Sequence, residues 1–141
     1  MNAPLYDTEI LRLAASVPFD ARLSGAMATV EKRSPTCGSR VAVDMDLDAQ
    51  GRVAAIGMAV HACALGQASS ALMLSHAKGR TGAEIEAARD QLRAFLAGEG
   101  EAPDWPGLQI FVRAQPHRGR HASILLPFAA AAEAAALAGA R

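Results

Sequence analysis

The sequence predicts an α+β fold, with a small antiparallel three-stranded sheet, helices packed on one of its faces, and a helix at each end of the chain. Three observations predict it. Residues 41–48, VAVDMDLD, alternate apolar and polar side chains with a period of two, as a half-buried strand does. After the turn AQG, the run RVAAIGMAV at 52–60 again sets Ile56, Met58 and Val60 on one face. Beyond residue 63 the apolar and small residues fall at helical spacing instead, so the strands cluster first and the helices follow.

Taken in order, YDTEILRLAASV at 6–17 brings Ile10, Leu11, Leu13 and Ala14 near one helical face and stops before Pro18, a short N-terminal helix. ATVEKR at 28–33 has the β-branched content of a strand, and SPTCG at 34–38 turns the chain. In VAVDMDLD the residues Val41, Val43, Met45 and Leu47 face one way and Ala42, Asp44, Asp46 and Asp48 the other, which predicts a meander with one wet face. ALGQASSALMLSHAKG then reads as a helix ending at Gly79. Thr81 and Glu84 form a capping box for a further helix whose stripe is Ile85, Ala88, Leu92 and Phe95. GEGEAPDWPG at 98–107 is a loop, and LQIFVRAQ at 108–115 fits either a short helix or an extended piece. The tail from about Ala122 to Ala138 is helical by composition, with Pro127 predicting a later start because proline is tolerated only in a first turn.

With 141 residues, the chain 1–141 is expected to form a single domain. Fourteen basic and fourteen acidic side chains balance, so no global field recruits nucleic acid or an anionic membrane. No run is expected to be apolar for long enough to cross a bilayer, since ASSALMLSHAK is interrupted by Ser and His and the tail carries Glu133. The N-terminus lacks the pattern of a secretory signal, and two cysteines in a chain of this kind predict a cytoplasmic protein with reduced thiols.

Those thiols are the first candidates for chemistry. Cys37 lies in a Pro-Thr-Cys-Gly turn, where backbone amides and a tight bend suit a thiolate or a bound atom. Cys63 lies where a strand gives way to a helix, at the positive end of the helix dipole, a setting for a metal or sulfur ligand. For both, an inert core cysteine is the competing reading. His61, two residues before Cys63, reads either as a neighbour of that site or as a polar residue on an edge strand, whereas His76 and His117 read as solvent-facing. His121 stands at a helix start, free to point outward. No C-x-x-C, H-x-x-x-H, nucleophile elbow or phosphate-binding glycine loop is present, so any site must be assembled by the fold from separate loops.

Quoted in order, LYDTEILRLAASVPF, SPTCGSRVAVDMDLD, GRVAAIGMAVHACALGQASSALML and KGRTGAEI resemble the U-type iron-sulfur cluster assembly scaffold family, the IscU/NifU/SufU group. The resemblance covers nearly the whole chain and implies a SufE/NifU-like fold and a scaffold or carrier rather than a turnover enzyme. It implies that Cys37 and Cys63 match the family's first two cysteines. The segment LRAFLAGEGEAPDWPGLQIF looks like the insertion of the SufU-type branch, in which the third cysteine follows Pro-x-Arg-x-Lys. PHRGRH puts Pro116, Arg118 and Arg120 in those places and His121 at the third cysteine; a shift of one residue, aligning HASIL with His-Cys-Ser-Ile-Leu, puts Ala122 there instead. Ser39 stands where the family carries an aspartate thought to help ligand exchange.

The resemblance therefore implies a ligand set of Cys37, Cys63 and His121 for iron or a transient iron-sulfur cluster, with zinc as the alternative; Ser39, Arg118, Arg120 and His61 are accessory candidates. The implied partners are a cysteine desulfurase and proteins that accept clusters, with a homodimer as a further expectation. Two other readings follow from the same residues: a zinc-bound sulfur acceptor for the desulfurase, and a non-catalytic paralogue that keeps the fold as an interaction module.

Overall fold

A computed structural model describes residues 7–17, 20–35 and 38–140. The elements are α1 (Thr8–Ser16), β1 (Asp20–Ala21), β2 (Ala28–Arg33), β3 (Arg40–Leu47), β4 (Val53–His61), α2 (Ala64–Ala77), α3 (Gly82–Leu96), two 3-10 helices (Leu108–Ala114 and Arg118–Arg120) and α4 (His121–Gly139). The α+β class and the antiparallel meander of three long strands are as the sequence predicts. The two-residue β1 adds a fourth, short edge, giving the order β1-β4-β3-β2 with every pair antiparallel. Val30, Val41, Val43, Met45, Met58 and Val60 form the core face of the sheet, on which α4 covers β2 and β3 while α2 covers β4. Helix α1 packs on α2, and α3 on α4.

Local signals account for most boundaries. The Asp7 side chain accepts from the Ile10 N–H at 2.9 Å and so caps α1, and it also pairs with Arg113 of the first 3-10 helix. Thr81 accepts from the Glu84 N–H at 3.1 Å, the expected cap of α3. Gly79 takes φ +84° just after α2, a conformation that favours glycine. The ambiguous run at 108–115 is a 3-10 helix whose Leu108, Ile110 and Phe111 are buried. Ahead of it, Trp105 is anchored in the core: its Nε1–H donates to the Leu72 carbonyl at 2.8 Å, and its ring meets Phe128 edge-on at 5.2 Å.

Three expectations are corrected. Helix α4 runs from His121 to Gly139, close to the span that composition predicts, and Pro127 lies inside it instead of in the first turn of a later-starting helix. Tertiary packing overrides the break: Pro127 is buried, and the Ser69 hydroxyl donates to the Ile124 carbonyl at 2.6 Å beside the interruption. The second face of the sheet is not simply wet, because Asp44 is only 1% exposed under the segment that follows β1. Finally, the stretch Arg118–Gly139 is long and apolar enough to span a bilayer by length and composition, with a mean hydropathy of 1.6. The stretch is mostly buried against the sheet and the other helices, as a core helix is.

Candidate functional site

The site grows from the N-terminal ends of two crossing helices. Cys63 is the N-cap of α2, with extended backbone at φ −66° and ψ 171°; its carbonyl accepts the Gln67 N–H at 2.9 Å while its side chain makes no cap bond. The residue thus stands at the positive end of the α2 dipole. Its partner is the hydroxyl of Ser123 in the first turn of α4, with Sγ and Oγ 3.3 Å apart. The Ser123 hydroxyl lies in turn 3.3 Å from the hydroxyl of Ser39. Ser39 closes the turn between β2 and β3, where its carbonyl accepts the Ser34 N–H at 2.7 Å. Both serines are buried, at 1% and 4% exposure, whereas Cys63 is half-buried.

Such an approach of α4 to α2 requires Gly66. A β-carbon at that position would fall 2.5 Å from the Ser123 Oγ and 2.7 Å from the Ala62 Cβ, closer than side chains pack. Gly66→Ala is therefore expected to destabilise the fold by up to about 2 kcal/mol, since overpacking of about 1–3 kcal/mol is set against a helix-propensity gain of about 1 kcal/mol. Urea unfolding followed by circular dichroism checks this. Adding Ser123→Ala should recover part of the loss, because it removes the atom nearest the clash.

The other candidates are placed as follows. Cys37 lies outside the described residues; its neighbour Gly38 has φ +72°. His121 is the first residue of α4, half-buried, with Nε2 2.9 Å from the Ala114 carbonyl. A carbonyl only accepts, so Nε2 carries a proton, and in the neutral ring Nδ1 is then the lone-pair nitrogen, the division of roles found in metal-binding histidines. Ala122 follows it, half-buried. Arg118 and Arg120 are exposed in the short 3-10 turn that leads into α4. His61 pairs with Arg40 in the β3–β4 ladder and lines a concavity of about 260 Å³ with Arg22, Glu31, Arg40 and Ala59 on the sheet face away from α4. The structure therefore brings Cys63 and Ser39 together through Ser123, sets His121 at the start of the same helix, and leaves His61 on the other face of the sheet. Among the described residues, which exclude Cys37, no three His, Cys, Asp or Glu side chains gather at metal-binding distance.

Ser123 and Gly66 are absent from the sequence-derived set of candidates. Their signal is slight: a serine within the otherwise apolar HASILLPF, and a glycine one helical turn after Cys63.

An antiparallel meander whose last strand runs through a cysteine into a small-residue helix, closed by a long C-terminal helix, defines the class of U-type scaffold domains. No protein-family model matches the sequence, and no curated protein does. Among solved structures, the nitrogen-fixing NifU-like protein (N-terminal) from Brucella abortus superposes with a TM-score of 0.91 at 33% identity, covering 97% of this chain and 96% of that one. The chain accordingly belongs to the U-type iron-sulfur cluster assembly scaffold family, with the NifU-like N-terminal proteins. A proposed iron-sulfur cluster assembly scaffold for the SUF system from Fervidobacterium islandicum AW-1 superposes with a TM-score of 0.83 at 21% identity, covering 93% and 96% of the two chains. A hypothetical protein matches at 0.75 and 22% identity, covering 91% and 94%. At those identities the last two show the shared fold.

Proposed function

We propose that this chain is a cytoplasmic carrier on which iron or a nascent iron-sulfur cluster is held as cargo by the thiolates of Cys37 and Cys63 and by Nδ1 of His121. The observation that carries the reading is the position of Cys63, at the N-terminus of α2 and joined through Ser123 to Ser39, two residues from Cys37. Three protein ligands leave a fourth position for water, sulfide or a thiolate of a partner. Arg118 and Arg120, exposed beside His121, add positive charge at the mouth of the site, which suits an anionic cluster. The partners that follow from family membership are a cysteine desulfurase, as sulfur source, and proteins that accept the finished cluster.

Anaerobic reconstitution with ferrous iron, sulfide and a cysteine desulfurase tests the reading. The expected result is visible absorption from thiolate-to-iron charge transfer; its absence would sink the cluster-carrier reading. A second reading, a zinc-bound sulfur acceptor, is supported by the donor set itself, because two thiolates and an imidazole suit zinc as well as iron. In that case zinc co-purifies with the untagged protein and the desulfurase turns over faster in its presence. A chain that retains no metal and stays indifferent to both assays would be an interaction module.

A further inference from the structure

The sequence marks Ser39 only as an accessory position and Ser123 not at all, whereas the geometry links both buried hydroxyls to Cys63. We infer that Ser39 and Ser123 form a hydrogen-bond relay that ends on the Cys63 sulfur and positions it for its cargo; the part played toward a metal rests on the carrier reading above.

The three atoms form a chain, Ser39 Oγ to Ser123 Oγ to Cys63 Sγ, with both links at 3.3 Å. A hydroxyl can donate one proton and accept others, so the direction of the chain follows from the state of the sulfur. A thiolate bound to a metal only accepts. Ser123 must then donate to Cys63, and its own lone pair is left to accept from Ser39. Aligned in this way the two hydroxyls polarise one another in a site from which both serines are shielded from water. A hydrogen bond to a ligating sulfur withdraws electron density from it, one of the ways a protein tunes a metal-thiolate centre. Gly66 belongs to the same device, because only the absence of a β-carbon there lets Ser123 reach the sulfur. The relay also gives Ser39 a function of its own: it faces inward to Ser123 and acts through a second hydroxyl on Cys63. Ser39 and Ser123 are thus positioning residues.

Cobalt(II) is the probe, because its thiolate charge-transfer band reports the electron density on sulfur. Ser123→Ala is expected to move that band to lower energy and to weaken cobalt(II) binding by about tenfold, the lower end of the effect of removing an outer hydrogen-bond partner from a metal site. Ser39→Ala should shift the band in the same direction by less, and it carries the test if Ser123→Ala does not fold. Circular dichroism checks folding in each case. A purely structural role for the serines would change stability and leave the band in place. A metal-free readout separates this inference from the carrier reading. In a Cys37→Ser background Cys63 is the sole thiol, since the chain has two cysteines, and its S–H stretch in the Raman spectrum should shift when the Ser123 hydroxyl is removed. A cobalt(II) band unmoved by both serine variants overturns the relay and leaves the carrier reading intact. If the wild type gives no thiolate band, the carrier reading is what fails, and the Raman shift alone decides the relay.

Discussion

Cys63→Ser is expected to weaken iron or cobalt(II) binding by about 100-fold. Sharing the roughly 10–16 kcal/mol of a four-ligand zinc site among its ligands gives about 3 kcal/mol each, and 1.4 kcal/mol corresponds to a factor of ten. Cys37→Ser should cost a similar factor, and the double variant should give no thiolate charge-transfer band at all. The substitution at Cys63 is a clean probe because of where the residue sits. It is the N-cap of α2 and makes no cap bond with its side chain, whereas serine is among the preferred N-cap residues. Helix α2 should therefore be as stable or more stable in Cys63→Ser, so a fall in affinity cannot be ascribed to unfolding. Competition titration against a chromophoric chelator, with thermal unfolding of the same samples, measures both quantities. His121→Ala should weaken binding as well, by roughly tenfold or more, since its Nε2 is already anchored on Ala114 and its Nδ1 is preset. An affinity unchanged in Cys63→Ser would place the ion elsewhere on the chain.

The meander, the caps and the helix order were legible because each rests on a short-range signal. Period-two alternation marks β3 and β4, Thr81 and Glu84 mark the start of α3, and Gly79 marks the end of α2. What was not legible depends on contacts far apart in sequence. The two-residue β1 has no periodicity to detect and exists through its pairing with Met58 and Ala59. The passage of α4 through Pro127 goes with the burial of that residue in the core, which no local rule supplies. The candidate site divides in the same way. Cys63 and the start of α4 at His121 stand out as chemistry-bearing residues at element boundaries. Ser123 becomes visible only when α2 and α4 cross, because a serine inside an apolar helix carries no address for its hydroxyl until the opposing glycine is known.

The buried carboxylate of β3 illustrates the same dependence, and its loss should be costly to the sheet. Asp44 lies on the central strand between Thr29 of β2 and Gly57 of β4. A β-carbon at Gly57 would be 2.6 Å from the Ala21 carbonyl oxygen and 2.8 Å from the Leu23 nitrogen, so the glycine lets the backbone after β1 lie against the strand. Asp44 holds that segment down. It accepts from Arg22 Nε at 2.6 Å, from Arg22 Nη2 at 2.9 Å, from the Leu23 N–H at 3.0 Å and from the Thr29 hydroxyl at 2.7 Å. The Arg22 hydrogen bonds are the main cause that lowers its pKa from 3.8 to about 2, with Thr29 and the Leu23 amide adding to the effect against the cost of burial. Because the pKa is depressed on folding, the carboxylate contributes stability that is complete above pH 3.8 and is lost as pH falls toward 2. That linkage amounts to about 2 kcal/mol at 1.36 kcal/mol per unit. Asp44→Ala goes further, since it also removes the acceptor of the Leu23 amide, while Arg22, 43% exposed, and Thr29, likewise exposed, can recover water. The expected loss is about 3 kcal/mol, at the low end for breaking a buried pair because one partner is half in solvent. Urea unfolding at neutral pH measures it, and the variant should also show a flatter fall in stability between pH 4 and pH 2 than the wild type. A loss well below the linkage value, or an unchanged acid slope, would mean that the segment after β1 is held by its strand pairing with β4 and not by the carboxylate beneath it.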